Sequence, residues 1–421
     1  MTCPRTARVL RHHMDQDSPY LWQETPLILS APISRLLGVN AFLKFENVHP
    51  SYSFKFRGMS LFVRETMKRK GKDVHFVTAS GGNAGLAVAC AAKAAEAKCT
   101  VFLPEGASKS TVELLKEQNA DVAIAGKYYL EAFNAAKEKA LTDENAVVVP
   151  AYDDPLLWEG HSSMITETFN QLKQWSVAEP DAICCSVGGG GLLAGIMVGC
   201  KKVQWDHVPL VALETMGSNC FHHSILLNSS GSSKFATELP SYVTKVHDEA
   251  SKLDLAQFDS FHSRASGSLG ASQPATGSVR MALEREGGIR CVTIPDELSM
   301  QSAVAFADDH KALVELACST TLAAAYKPQL LDAVVPPRSD GRKRNIVFIV
   351  CGGFKVSLRE LAEYEEVLKA EIERNVNGHW EVVLNDGQIV DVDYSLRAVR
   401  FFMTFFHFPP ALPAVAPIFH L

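Results

Sequence analysis

The middle of the chain alternates short apolar, β-branched runs with alanine-rich or amphipathic stretches. Residues 74–79, 100–103, 122–125 and 147–149 read as strands, and 83–97, 109–119 and 129–140 between them read as helices. The pattern resumes with a strand at 182–187, a helix at 192–203 and a strand at 210–214, and a last strand reads at 345–350. Strands spaced by helices in this way predict parallel sheets with helices on their faces. Two regions break the alternation. Residues 227–275 are rich in serine and other polar residues, and read as a long surface excursion with a short helix near 246–256. Residues 401–421 carry no charged side chain apart from His407 and His420, but hold Pro409, Pro410, Pro413 and Pro417. Prolines that close together interrupt a helix, so this tail makes a poor membrane span.

Composition narrows the classes. A chain of 421 residues, 47% apolar and 21% charged, has room for two or three domains and a large core without disulfides. A net charge of −6 with scattered Lys and Arg provides no basic stripe for nucleic acid. Ten cysteines occur without a C-x-x-C pair, and Cys184 and Cys185 stand together in an apolar run, as reduced buried thiols of a cytoplasmic protein would. Arg5, Arg8 and Arg11 precede the first acid, Asp15; this faint presequence pattern is read here as a loose N-terminal arm.

Four segments carry candidate chemistry. In Ser51-Tyr52-Ser53-Phe54-Lys55-Phe56-Arg57-Gly58 a lysine stands between two aromatics, and desolvation there would lower its pKa and expose a nucleophilic amine. Singly this is weak, since a lysine beside phenylalanine more often snorkels to solvent. Ser80-Gly81-Gly82-Asn83 lies between a strand and a helix, where free amides suit a carboxylate. Gly188-Gly189-Gly190-Gly191-Leu192 occupies the same kind of junction, and four glycines let the backbone wrap a phosphate. It is not the dinucleotide fingerprint, because the intervening residues and an acidic ribose partner are missing. Cys351-Gly352-Gly353 ends the last strand, and ligands gather at the carboxyl ends of strands in such sheets.

Together, S-x-S-F-K-x-R-G, S-x-G-N-A-G, S-V-G-G-G-G-L and C-G-G resemble, in order and spacing, the fold-type II pyridoxal-phosphate (PLP) enzymes of the serine/threonine dehydratase family. The segment Asp153-Asp154-Pro155-Leu156-Leu157-Trp158-Glu159-Gly160-His161 resembles the serine dehydratase branch. The resemblance spans roughly residues 25–368, with an interruption near 227–262. It implies an α/β fold of two domains with open parallel twisted sheets flanked by helices, like the tryptophan synthase β chain. The division it implies is an arm at 1–18, a large PLP-binding domain from 19–47 and 153–370, a small substrate-closing domain at 48–152, and a partly disordered extension at 371–421. Lys55 would be the Schiff-base lysine and the catalytic base. Phe54 would pack on the pyridine ring, Asn83 bond its 3′-oxygen, Gly188 to Gly191 and Leu192 bind the phosphate, and Cys351 face the ring nitrogen. Ser80, Gly81, Gly82 and Asn83 would hold the substrate carboxylate. Glu214, Ser218 and Leu269, with a carbonyl near Gly188, would bind a monovalent cation, potassium.

The implied reaction is β-elimination from L-serine to pyruvate and ammonia, with L-threonine giving 2-oxobutanoate, in a cytoplasmic homodimer with no membrane or nucleic-acid partner. A serine racemase, a β-replacement enzyme and a non-catalytic PLP-binding or regulatory protein remain as alternatives. Serine racemases resemble this family but carry a serine where this chain has Gly81. Tyr52 stands where the serine dehydratases usually have glycine, and Leu316 where they usually have proline.

Overall fold

The computed structural model describes residues 21–229, 238–375 and 378–395. Its strands in chain order are β1 (Leu27–Leu29), β2 (Asn40–Phe45), β3 (His75–Thr78), β4 (Lys98–Leu103), β5 (Asp121–Ile124), β6 (Ala146–Val148), β7 (Ala182–Ser186), β8 (Leu210–Thr215), β9 (Val243–Asp248), β10 (Leu253–Phe258), β11 (Ile289–Ile294), β12 (Asn345–Val350), β13 (His379–Leu384) and β14 (Ile389–Asp393). The smaller sheet, in order β5-β4-β3-β6, is wholly parallel. The larger follows β1-β2-β12-β7-β8-β11-β13-β14; its five central strands are parallel and its outer pairings antiparallel. The expected α/β architecture with helices flanking parallel strands is therefore present.

Central strands buried on both faces should read as continuous apolar runs. β12 (Asn-Ile-Val-Phe-Ile-Val) and β7 (Ala-Ile-Cys-Cys-Ser) do, and both are buried almost throughout. Cys184 and Cys185 lie in this core; all nine cysteines of the described residues are buried and unpaired. The helix Asn83–Ala94 is buried through its first ten residues, which explains its alanine content: small side chains let it pack on every side.

One expectation fails, and a second region gains detail. Residues 246–256 are not helical: β9 and β10 form an antiparallel hairpin whose turn places Lys252 at φ 59°. Within the stretch expected as a partly disordered extension, β13 and β14 form a second hairpin joined to the large sheet, with Leu384 opposite Val292. Trp380, Val382, Leu384, Val390 and Val392 are buried there. Residues 1–18 of the expected arm and the proline-rich tail from 396 onward lie outside the described residues. No helix among the described residues is long and apolar enough to cross a membrane.

Candidate active site

The loops after β3, β7 and β12, all at carboxyl ends of parallel strands, open onto one cavity of about 1230 Å³. Lys55, Phe54, Ser80, Gly81, Gly82, Asn83, Gly188 to Gly191, Leu192, Leu269 and Cys351 all line it.

Lys55 opens the helix Lys55–Lys70, which has no side-chain cap at its N-terminus. Its Nζ donates to the carbonyl of Ala151 at 3.0 Å and stands 5.2 Å from the Phe54 ring centre. Desolvation pushes the amine down from 10.5 to about 8; Cys351 and Glu315 oppose this only in part. Two features hold the lysine there. Arg57, fully buried, donates Nε to Glu46 at 2.6 Å and Nη1 to Glu167 at 2.6 Å. Glu167 also pairs with the buried Lys44 at 2.6 Å, so the arginine of the motif anchors the helix rather than serving the cavity. On the other side, the lysine helix crosses the helix Pro155–Leu172 at Gly58 and Gly160, where a β-carbon on Gly160 would fall 2.7 Å from the Gly58 Cα. His161 fills this crossing. Its Nδ1 accepts the Gly58 amide at 3.2 Å and its ring meets Phe54 edge-on at 4.8 Å. Burial and the nearby Lys55 hold the imidazole well below its ordinary pKa, so it is neutral with its proton on Nε2.

The two glycine loops present amides to the cavity. Among the described residues, no backbone N–H from Gly188 to Leu192 has an acceptor. The loop cannot retreat: β-carbons on Gly188, Gly189 and Gly191 would collide with Leu269 or Tyr152, and Gly190, at φ 87°, with Ser278. It leads into the helix Gly191–Lys202, whose positive end adds to its affinity for an anion. In the Ser80–Asn83 loop, Gly82 N–H bonds Ser80 Oγ at 3.3 Å, while the amides of Gly81, Asn83 and Ala84 have no acceptor among the described residues. That loop caps the helix Asn83–Ala94.

Asn83 is held from three sides. Its Nδ2 donates to Glu315 Oε2 at 2.9 Å and Ser268 Oγ at 3.2 Å, and its Oδ1 accepts Phe354 N–H at 3.2 Å. Glu315 is buried, and takes Ser268 Oγ at 2.7 Å and the Lys355 amide at 2.7 Å as well. Cys351 Sγ lies 3.6 Å from Ser186 Oγ. Glu214 does not line the cavity; it accepts the amides of Phe221 and His222 at 3.0 and 2.7 Å behind the glycine loop. Burial drives its pKa well above the usual carboxylate range, and no cationic side chain among the described residues pairs with it. Ser218 Oγ nearby in sequence is buried without a partner, and the Leu269 carbonyl packs against Gly188.

Glu315, Ser268, Tyr152, His161 and Lys355 complete the site without having been assigned roles from sequence. Only Glu315, next to Leu316, and His161 lay in segments that stood out; Glu315 precedes the apolar helix Leu316–Tyr326 without capping it by a side-chain bond, and a lone acid there carries no distinctive signal.

Residues 20–352 match the family described as pyridoxal-phosphate dependent enzymes. A Mus musculus protein named serine dehydratase-like is 36% identical over 339 residues, spanning 80% of this chain and 92% of its own. The Homo sapiens L-serine dehydratase/L-threonine deaminase is 34% identical over 345 residues, spanning 82% and 95%. The fungal L-serine ammonia-lyase from Rhizomucor miehei superposes with a TM-score of 0.70 at 28% identity, covering 82% of this chain and 99% of that one. A serine racemase from Dictyostelium discoideum shares the fold, with a TM-score of 0.62 at 23% identity over 80% and 94%.

Proposed function

The chain belongs to the pyridoxal-phosphate dependent enzymes, and on that premise we propose that it deaminates L-serine to pyruvate and ammonia, and L-threonine to 2-oxobutanoate, with Lys55 holding the cofactor and moving the Cα proton. The observation that carries the reading is the Lys55 amine, desolvated and held near pKa 8, in a cavity flanked by two loops of unbonded amides.

The residues present fit the cofactor. Five consecutive amides, Gly188 to Leu192, at a helix N-terminus suit its phosphate, and Lys55 offers an amine to its aldehyde. Asn83, oriented by Glu315 and Ser268, would bond the ring oxygen; Phe54 would pack on the ring face and Cys351 would meet the ring nitrogen. When bound, pyridoxal phosphate supplies an electron sink for the pair left at Cα. The Lys55 amine, unprotonated in useful fraction near neutral pH, takes the Cα proton. Ser80 and the amides of Gly81 to Asn83 hold the substrate carboxylate. The pair from the Cα–H bond forms a Cα–Cβ double bond as the Cβ–O bond breaks, and the hydroxide departs with a proton as water. The released enamine hydrolyses to the keto acid and ammonia. Cys351 would bring a weak donor with no charge to the ring nitrogen, so the Cα pair would go forward into the Cα–Cβ bond, with hydroxide leaving on the Cβ–O pair, rather than being stored in the ring.

Potassium is our reading of the polar group behind the glycine loop, with Glu214, Ser218 and the carbonyls of Leu269 and Gly188 as ligands. A buried carboxyl without a counter-charge and a buried hydroxyl without a partner support it. We read the working form as a cytoplasmic homodimer, which sedimentation of the purified protein will check. The activity is tested by recording the absorbance of the PLP-loaded protein and assaying keto-acid release from L-serine, D-serine and L-threonine. Release from both L-substrates is expected. A bound-cofactor band without ammonia from any amino acid would mark a binding protein instead.

A further inference from the structure

Lys355 follows the Cys351-Gly352-Gly353 turn and precedes Ser357, the N-cap of the helix Leu358–Arg374. Its backbone amide is fixed on Glu315 Oε1 at 2.7 Å, so the side chain starts from a defined point at the cavity wall. From there Nζ lies 3.8 Å from the position a β-carbon on Gly82 would occupy, and Ser80 Oγ lies 3.7 Å from the same position. Gly82 is the N-cap of a twelve-residue helix, Asn83–Ala94, and contributes no side chain to its end. An ammonium, a hydroxyl and an open helix N-terminus therefore converge on one spot, and all three favour an anion. The Lys355 ammonium has no hydrogen-bond or ion-pair partner among the described residues. The nearest buried acid, Glu315, spends its oxygens on Asn83, Ser268 and the Lys355 amide, and Glu360 accepts the Tyr364 hydroxyl at 2.8 Å.

We propose that Lys355 is a substrate-binding residue whose ammonium pairs with the α-carboxylate of the amino acid seated on the Ser80–Asn83 loop. The inference rests on the reading of that loop as the carboxylate site under Proposed function. It adds a full side-chain charge where the loop alone offers amides and the partial charge of a helix end. Lys355 is exposed, so its contribution is that of a solvent-screened pair: about a two- to fivefold difference in affinity.

The test uses the PLP-loaded full chain as wild type, Lys355→Met and Lys355→Arg. Glycine, which has an amine and a carboxylate but no leaving group, is titrated by the change in cofactor absorbance, alongside glycinamide and L-aspartate. Glycine affinity should fall about two- to fivefold in Lys355→Met and return to about the wild-type value in Lys355→Arg. Glycinamide should bind all three alike, and the glycine difference should shrink in high salt. For L-serine, KM should rise with kcat little changed. Equal glycine affinity in wild type and Lys355→Met would overturn the proposal. So would a loss confined to L-aspartate, which would assign the ammonium to a substrate side chain. Glycine titration needs no turnover, so a chain that fails to deaminate serine yet shows Lys355-dependent glycine binding would refute only the reaction assigned above.

Discussion

Removing the charge of Lys55 should stabilise the cofactor-free protein at neutral pH, although it destroys the candidate active site. The amine falls from 10.5 in the unfolded chain to about 8 in the folded one. That displacement of about 2.5 is worth about 3 kcal/mol. Below pH 8 both states carry the proton, and the folded protein bears the whole penalty of holding an ammonium in a desolvated wall. Between pH 8 and 10.5 the unfolded chain binds more protons than the folded one, so wild-type stability rises with pH through this window. Above 10.5 the penalty is gone. Lys55→Met keeps the length and removes the charge, at the loss of the 3.0 Å bond to the Ala151 carbonyl, about 1 kcal/mol. The variant should then be more stable by about 2 kcal/mol at pH 7, and slightly less stable than wild type at pH 11. Urea unfolding of both cofactor-free proteins across this range measures the gap, and other alkaline titrations cancel in the difference. A variant no more stable than wild type at pH 7, or a gap independent of pH, would refute the desolvated-lysine account.

Four further outcomes are expected. Gly190→Ala places a methyl 2.2 Å from Ser278 Oγ at φ 87°, and should weaken PLP binding at least about tenfold, as read by equilibrium dialysis. Tyr52 sits at φ 58° with half its surface exposed, so Tyr52→Gly should relieve about 1 kcal/mol of backbone strain, seen as a higher urea midpoint with secondary structure unchanged. Gly81→Ser should add D-serine formation from L-serine on chiral chromatography; its β-carbon would stand 3.1 Å from Leu103, a contact the leucine can yield by a few tenths of an ångström. Glu214→Gln should abolish the activation by potassium over lithium that wild type is expected to show in steady-state assays.

The sequence pattern was most legible where a backbone makes demands that few residues meet. The glycines at 188–191 are required because Leu269, Tyr152 and Ser278 stand where their side chains would go, and that requirement is visible as a run. Tyr52 is legible for the same reason: it occupies a left-handed conformation, φ 58°, at a position where the family resemblance leads one to expect glycine. Lys355 and Ser268 were not legible, because their closeness to the loop after β3 comes from tertiary packing across long sequence separations. The hairpin of β9 and β10 reads locally as a helix because His-Asp-Glu-Ala-Ser-Lys is composed of helix-tolerant residues, and cross-strand pairing overrides that local preference. The second hairpin did carry a signal. Asn385-Asp386-Gly387 lies between alternating runs, and Gly387 adopts φ 83° as such a turn asks. The signal is short, and the uncharged, proline-rich residues 401–421 that follow obscure it.

That second hairpin changes how the protein meets others of its kind in a crowded solution. Without β13, strand β11 would offer a row of free amides and carbonyls along Cys-Val-Thr-Ile, an adhesive border for any extended peptide. β13 covers the border, and the Asn385 side chain and amide seal its neighbouring rung on Cys291 at 3.1 and 3.0 Å. The rim passes to β14, where Asp391 and Asp393 alternate with buried valines. A second sheet approaching there would meet those carboxylates, so β14, the outermost strand among the described residues, disfavours the edge-to-edge pairing that β11 would have invited.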